Sequence, residues 1–260
     1  MEQIKTQHQM VREFNVAFGV KVNPEFYSRL IVEQPALASL RYNLIEEEVL
    51  ELQEALKNND RKETIDALAD ILYVGWGAGV SFGIDMDKEY HNYLNHMGNP
   101  MTYPEFETKS NYENTLISIP DSSITKENGL DKLFLALQHV KQALNVRTET
   151  EKEENTDHRK QLGKYLCRLI YHVYRLVEVH EIDINRAFKI VHDSNMSKLC
   201  KTEEIAQTTV QWYKDNNTVY DSPAYRKSDL GEYYVVFNES TGKILKSVDY
   251  TPANFSCMLE

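Results

Sequence analysis

Apolar side chains recur every three or four residues along most of the chain, which is the spacing of an amphipathic helix. The pattern predicts helices over residues 3–18, 24–32, 37–57, 62–82, 85–96, 130–146, 157–179, 183–195 and 201–215. Only the turn Asn58-Asn59-Asp60 separates the third helix from the fourth, so these two are expected to pack antiparallel. The chain is therefore predicted to be all-α and to fold as a helical bundle.

The C-terminal part of the chain has a different pattern. Residues 232–238 and 243–248 are rich in aromatic and β-branched side chains and flank the turn Glu239-Ser240-Thr241-Gly242. This arrangement predicts a small β-hairpin appended to the bundle. Tyr225-Arg226-Lys227, just before it, is interpreted as an exposed basic loop, with contact to a phosphate as the alternative.

Two stretches of the helical part resemble each other. Aligning Ile84 with Ile182 places Asp66 on Lys164 and Asp70 on Arg168, so acids of the first copy become bases in the second. We therefore expect an internally duplicated pseudo-dimer, with chance similarity of two amphipathic hairpins as the alternative. The predicted boundaries are residues 1–97 for the N-terminal helices and acidic repeat, 98–127 for a connector, 128–216 for the second repeat and 217–260 for the hairpin extension.

Composition narrows the class of protein. The 260 residues carry a formal net charge of −11. Nucleic-acid binding is not expected, because no surplus of basic side chains is available to neutralise a phosphate backbone. The three cysteines have no paired spacing, and no stretch approaches the roughly 20 apolar residues that span a bilayer. We expect a soluble, cytoplasmic protein with no membrane partner.

Five carboxylates are candidates for chemistry. Glu47, Glu48 and Glu51 share one helix face, and Asp66 and Asp70 share a face of the next helix. Apolar neighbours flank them, so burial and mutual repulsion are costly unless a cation compensates. Mg²⁺ is suited to this role because it prefers oxygen ligands. The alternative is a solvated helix face, with both aspartates acting as caps or pairing with lysines.

The segment Glu47-Glu48-Val49-Leu50-Glu51-Leu52, followed by Asp66-Ala-Leu-Ala-Asp70-Ile-Leu-Tyr-Val74, resembles the motif of the all-α nucleotide pyrophosphohydrolases. That superfamily includes MazG, dimeric dUTPases and phosphoribosyl-ATP pyrophosphohydrolase. The resemblance implies that Glu48, Glu51 and Asp70 bind Mg²⁺, or Mn²⁺ in its place, with Glu47 as a further ligand or as the base that activates water. Ala67 stands where the family has a glutamate, and the candidate replacements are Asp66 and the element Glu63-Thr64-Ile65-Asp66.

The second half of the chain carries basic groups. His192-Asp193-Ser194-Asn195-Met196-Ser197-Lys198 resembles the Asn-x-x-Lys element of MazG-like proteins, which implies substrate contacts from Asn195, Lys198 and the neighbouring Asp193. A helix cap is the alternative for this element. Lys164 and Arg168 are expected either to offset phosphate charge or to form salt bridges with Asp66 and Asp70.

The resemblance implies a Mg²⁺-dependent enzyme that converts a nucleoside triphosphate and water into a nucleoside monophosphate and pyrophosphate. Glu47 or Glu48 is expected to deprotonate the water, and Lys198 to stabilise the phosphates. The resemblance also implies a dimer in which two chains complete each site. We therefore expect either a monomeric pseudo-dimer with one site between its two repeats or a homodimer. The alternatives are a catalytically weak nucleotide sensor and a helical interaction scaffold.

Overall fold

The computed structural model of the chain describes residues 5–27, 29–96, 124–144, 161–216 and 219–259, with only the backbone of His96 included. In these ranges the helices are α1 (Gln7–Ala17), α2 (Leu30–Glu33), α3 (Pro35–Lys57), α4 (Arg61–Phe82), α5 (Met86–His96), α6 (Gly129–Leu144), α7 (Leu162–Val179), α8 (Ile184–Met196) and α9 (Glu203–Asn216). The strands are β1 (Pro223–Lys227) and β2 (Tyr234–Asn238), and a 3₁₀ turn covers Ser256–Met258. The predicted all-α class with a small β element is confirmed.

Helices α3 and α4 form the predicted antiparallel hairpin. The side chain of Asp60 caps α4 by accepting a hydrogen bond of 3.0 Å from the backbone N–H of Glu63. Gly83 ends α4 in a left-handed conformation with φ of 73°. A Cβ atom at Gly83 would lie 2.7 Å from the backbone of Glu25, so the position requires glycine for both reasons.

Helix α4 is the centre of the bundle, because it contacts α1, α3, α5, α7 and α8. Contrary to the expectation from the sequence, it is by length and composition apolar enough to cross a membrane, but 83% of its most apolar window is buried by the rest of the chain. Burial in a protein core therefore accounts for its apolar sequence.

A second antiparallel pair, α6 and α7, packs against the first. Helix α7 lies along α4 and α6 lies along α3. The two pairs have the arrangement that a duplicated hairpin requires, and the duplication itself stays a prediction. Residues 98–123 of the predicted connector, and the predicted helical positions 145–146 and 157–160, lie outside the described residues.

The prediction of a helix over residues 24–32 was wrong. Residues 20–27 are irregular and α2 covers only Leu30–Glu33. The side chain of Asn23 donates a hydrogen bond of 2.6 Å to the backbone carbonyl of Ser81, near the end of α4. This contact holds the segment against the end of α4, so Pro24 does not begin a helix.

The predicted hairpin also pairs differently. Strand β2 pairs with β1 on its N-terminal side, and residues 243–248 contribute only an isolated bridge between Phe237 and Ile244. The predicted turn is present, since the N–H of Gly242 donates to the carbonyl of Asn238 at 2.7 Å. Beyond Leu245 the chain leaves β2, and the backbone of Lys246 bonds to the Tyr213 hydroxyl of α9.

The interpretation of Tyr225-Arg226-Lys227 as a loop was wrong, because these residues lie in β1. The Arg226 guanidinium donates a hydrogen bond of 2.6 Å to the carbonyl of Phe18 and lies over the ring of Phe237. Ser228 donates to the carbonyl of Ala17 at 2.6 Å. The hairpin is thereby fixed to the end of α1.

Candidate active site

The acidic residues lie along the α3/α4 hairpin. Ile45, Val49 and Leu52 turn one face of α3 into the core, and Glu48 lies partly buried at the edge of that face. On α4 the side chains of Asp66 and Asp70 are also partly buried. Glu47 and Glu51 are exposed beside them on α3, which leaves the cluster open to solvent on one side.

Burial and mutual repulsion perturb these carboxyl groups. Burial raises the pKa of Glu48 to about 9, and the negative charges of Asp70 and Glu51 add to the effect. Burial raises the pKa of Asp70 to about 7, with a further increase from Asp66 and an opposing effect of Lys198. The pKa values of Glu51 and Asp66 are raised too, first by burial and then by neighbouring carboxylates. Full ionisation of the cluster is therefore unfavourable unless a cation is bound, and protons take the place of a cation in its absence.

The chemistry of this donor set suits a hard divalent cation. Glu48, Glu51, Asp66 and Asp70 offer only carboxylate oxygens, the ligands that Mg²⁺ and Mn²⁺ prefer. Within the described ranges, no three Asp, Glu, His or Cys side chains already converge as a metal site. Side chains that repel one another favour separated rotamers, so we infer that binding of a cation draws them together.

Burial bears on which residue takes the fourth acidic position. Ala67 is 4% exposed and packs in the main core, so its side chain points away from the carboxylates. Asp66 lies one turn before Asp70, and its charge raises the pKa of Asp70. Glu63 is exposed and accepts a hydrogen bond of 2.7 Å from Lys62. This placement favours Asp66 over Glu63 as the replacement for the family glutamate.

Lys198 and Asn195 reach this cluster from the end of α8. The ammonium of Lys198 donates a hydrogen bond of 2.6 Å to Oδ1 of Asn195. Burial lowers the pKa of Lys198, and the carboxylates of Asp70 and Glu48 raise it. Lys198 thus lies close enough to the acids to be attracted, yet among the described residues it forms no ion pair with either carboxylate.

Three other candidate residues lie elsewhere. Asp193 is exposed and forms an ion pair with Lys189 at 2.6 Å. Nη1 of Arg168 lies 3.3 Å from Nδ1 of His139, and Lys164 is exposed on the same helix. In the described part of the chain no salt bridge joins Lys164 or Arg168 to Asp66 or Asp70. The roles of these three residues in substrate binding stay predictions.

A polar chain that sequence reasoning missed connects α4 to α1 through His192 of α8. The hydroxyl of Tyr73 lies 3.1 Å from Nδ1 of His192, and Nε2 of His192 lies 3.7 Å from Glu13. Glu13 pairs in turn with Lys5 at 2.6 Å. Tyr73 is buried and stacked on Phe188, as its apolar helix predicts. The sequence offered one indication that His192 lies near the site, namely its position three residues before Asn195.

Comparison with known proteins defines the class. Residues 11–93 match the family model of phosphoribosyl-ATP pyrophosphohydrolase, and this range contains α3, α4 and the whole acidic cluster. The matched helical region, residues 11–93, belongs to the all-α NTP pyrophosphohydrolase superfamily. Membership indicates a hydrolase that acts on pyrophosphate bonds in nucleotides.

The similarity to one relative is much longer. The chain is 34% identical over 257 residues to "Uncharacterized protein L479" of Acanthamoeba polyphaga mimivirus, which covers 98% of this chain and 96% of that protein. The two proteins therefore belong to one family along nearly their whole length, including the C-terminal part beyond residue 93. No solved structure matches the chain.

Proposed function

We propose that this protein is a divalent-metal-dependent pyrophosphohydrolase that converts a nucleoside triphosphate and water into a nucleoside monophosphate and pyrophosphate. The observation that carries the proposal is the juxtaposition of two clusters of opposite charge. The negative charges of Asp70 and Glu48 act on the ammonium of Lys198 near the end of α8, but in the ranges that the structure describes no ion pair joins Lys198 to either of them.

A triphosphate with its bound metal ion supplies both a cation for the carboxylates and an anion for Lys198. The carboxylates require a cation, because partly buried like charges are unfavourable. Lys198 requires an anion, because its hydrogen-bond partner Asn195 is neutral. Phosphate oxygens accept hydrogen bonds from lysine and also complete the coordination of Mg²⁺, so one ligand satisfies both clusters.

Each residue then has a role. Glu48, Glu51, Asp66 and Asp70 would hold Mg²⁺, or Mn²⁺ in its place. When bound, such a cation offsets phosphate charge and lowers the pKa of a coordinated water. The exposed carboxylate of Glu47 lies at the rim of the cluster, where it accepts a proton from the attacking water. The ammonium of Lys198 donates to a phosphate oxygen, and Asn195 holds that ammonium in place.

The bonds that change follow from the products. The water oxygen bonds to the α-phosphorus while the bond from that phosphorus to the oxygen bridging the α- and β-phosphates breaks. Pyrophosphate leaves with the bridging oxygen, and Lys198 offsets the negative charge that develops on the phosphates. The nucleotide base does not take part in these steps.

Pyrophosphate release across a nucleotide panel tests the proposal. The panel contains the common ribo- and deoxyribonucleoside triphosphates and phosphoribosyl-ATP, each with Mg²⁺, with Mn²⁺ and with a chelator. We expect turnover only with a cation, and a loss on the order of a hundredfold or more for Glu48→Gln and Asp70→Asn. Glu54 is an exposed carboxylate on α3, the helix that carries Glu48, so Glu54→Gln serves as the matched control.

Three outcomes contradict the proposal. Turnover that survives both site substitutions shows that the acids are not the catalytic cluster. Nucleotide binding with Mg²⁺ but without pyrophosphate release indicates a sensor. A melting temperature that does not respond to Mg²⁺ and nucleotide indicates a scaffold.

A further inference from the structure

The C-terminal segment, residues 243–251, packs against the end of α8 that carries Asn195 and Lys198. Ser194 donates a hydrogen bond of 3.1 Å to the Tyr250 hydroxyl. The backbone N–H of Thr251 donates to the Ser197 hydroxyl at 3.0 Å. Ser194 and Ser197 flank Asn195 and precede Lys198, so the segment is fixed directly beside the candidate active site.

Lys246 is held by its backbone within this segment, while its side chain is exposed. Its N–H donates to the Tyr213 hydroxyl at 3.1 Å, and its carbonyl accepts from the same hydroxyl at 3.2 Å. Its ammonium lies 4.5 Å from the centroid of the Tyr250 ring. The aromatic ring therefore orients the cation without neutralising it.

The C-terminal segment brings the positive charges of Lys246 and Lys243 near enough to act on Lys198. Burial lowers the pKa of Lys198, and the positive charges of Lys246 and Lys243 lower it further, against the effect of Asp70. In the regions that the structure describes, none of the three lysines forms an ion pair with a carboxylate. Neighbouring ammonium groups repel one another. An anion that contacts more than one of these lysines relieves the repulsion, so the arrangement favours anion binding.

We propose that Lys246 is a substrate-binding residue that contacts the phosphate chain of the nucleoside triphosphate beside Lys198. The inference rests on the proposed function and extends the site into the C-terminal segment. The charges of Asp70 on α4 and of Lys246 in the C-terminal segment both act on Lys198, so Lys198 has the acids and Lys246 as neighbours. A polyphosphate chain has enough oxygens to contact Lys198, Lys246 and the metal ion held by the acids at the same time. A single phosphate does not.

Binding of inorganic tripolyphosphate in the presence of Mg²⁺ tests the inference without reference to the base. Calorimetry compares the full-length protein with Lys246→Gln, Lys246→Arg and Lys227→Gln. Lys227 is an exposed lysine in β1, so its substitution makes the same charge change in the same part of the chain. We expect Lys246→Gln to weaken tripolyphosphate binding roughly tenfold, which is the scale of one charge-assisted hydrogen bond. Lys246→Arg retains most of the affinity, and Lys227→Gln binds as the unsubstituted protein does.

The outcomes separate this inference from the proposed function. Equal affinities for Lys246→Gln and Lys227→Gln overturn the role of Lys246, even when the unsubstituted protein releases pyrophosphate from nucleotides. Loss of affinity in Lys246→Gln supports that role even when no pyrophosphate is released, a result that contradicts only the catalytic proposal. An unsubstituted protein that binds no tripolyphosphate overturns the inference. Melting temperatures of the variants verify that each remains folded.

Discussion

The hydroxyl of Tyr73 lies 3.1 Å from Nδ1 of His192, and this contact joins α4 to α8 beside the acidic cluster. Burial lowers the pKa of His192, which favours the neutral imidazole, and the tautomer of the ring decides whether the Tyr73 hydroxyl or Nδ1 donates the hydrogen bond. Asn195 and Lys198 follow His192 on the same helix and the turn after it. The tyrosine therefore helps to set the distance between the carboxylates and Lys198.

Substitution Tyr73→Phe tests this link. The phenylalanine ring keeps the stacking on Phe188, so the fold is retained, but Nδ1 of His192 loses its partner. An unpaired buried polar atom costs about 1–3 kcal/mol, which urea unfolding measures. We also expect KM for the nucleotide to rise more than kcat falls, because α8 is held less firmly.

Tyr174→Phe is the control for this experiment. It removes a tyrosine hydroxyl that donates to Gln7 at 3.0 Å, away from the acids. We expect a smaller loss of stability with KM unchanged, because Gln7 keeps a hydrogen bond of 2.9 Å from Trp76. If both variants shift KM equally, the effect comes from general loosening of the bundle, and Tyr73 has no special role at the site.

Removal of the Glu48 charge is expected to stabilise the metal-free protein. The folded-state pKa of Glu48 is raised to about 9, so the folded chain binds more protons than the unfolded chain between about pH 4.5 and 9. Stability of the metal-free protein therefore falls as the pH rises through this window. At pH 8, Glu48→Gln should raise the free energy of unfolding by about 1–3 kcal/mol once solvent screening is allowed for.

Thermal and urea unfolding with a chelator at pH 5 and pH 8 measure this effect. The gain should be small at pH 5, because Glu48 is then still partly protonated in the unfolded chain as well as in the folded protein, and Mg²⁺ should stabilise the unsubstituted protein more than the variant. Glu54→Gln controls for loss of an exposed carboxylate on α3. A Glu48→Gln protein that is less stable at pH 8 without metal would show that this carboxylate is not strained by its neighbours.

Helix bounds predicted from the sequence were accurate where the helical periodicity of apolar residues was strong. The bounds of α3 and α4 differ from the predicted ones by no more than two residues at either end, because the apolar spacing and the Asp60 and Gly83 signals agree. Glu48 and Asp70 were found from a motif and lie on facing helices as expected. Local patterns sufficed for these features.

Contacts between distant parts of the chain decided the rest. No local signal shows that Asn23 bonds to Ser81, or that Arg226 bonds to Phe18, and these contacts changed the course of two segments. The proximity of Lys246 to Lys198 depends on the packing of the C-terminal segment on α8, which lies outside the recognised motif. Such pairings are fixed by tertiary structure and have no periodicity to reveal them.

Asp66 is expected to be the fourth metal ligand. Asp66→Asn should weaken the Mg²⁺-dependent increase in melting temperature, whereas Glu63→Gln should leave it unchanged, because Glu63 is exposed and bonded to Lys62. Restoring the family residue with Ala67→Glu should destabilise the protein by several kcal/mol, since it buries a carboxylate in the core. Magnesium titrations followed by melting temperature measure all three. Equal losses for Asp66→Asn and Glu63→Gln would assign the position to both residues.

The candidate site is expected to be complete within one chain. Glu48 on α3, Asp70 on α4 and Lys198 after α8 interact inside a single molecule. An equimolar mixture of Glu48→Gln and Lys198→Ala proteins should therefore show no more pyrophosphate release than the two variants measured separately. A homodimer with sites shared between chains behaves differently, because a mixed dimer assembles one site from two intact halves and recovers activity. Refolding the mixture from urea before the assay ensures that chains exchange, so that recovered activity or its absence decides between the two arrangements.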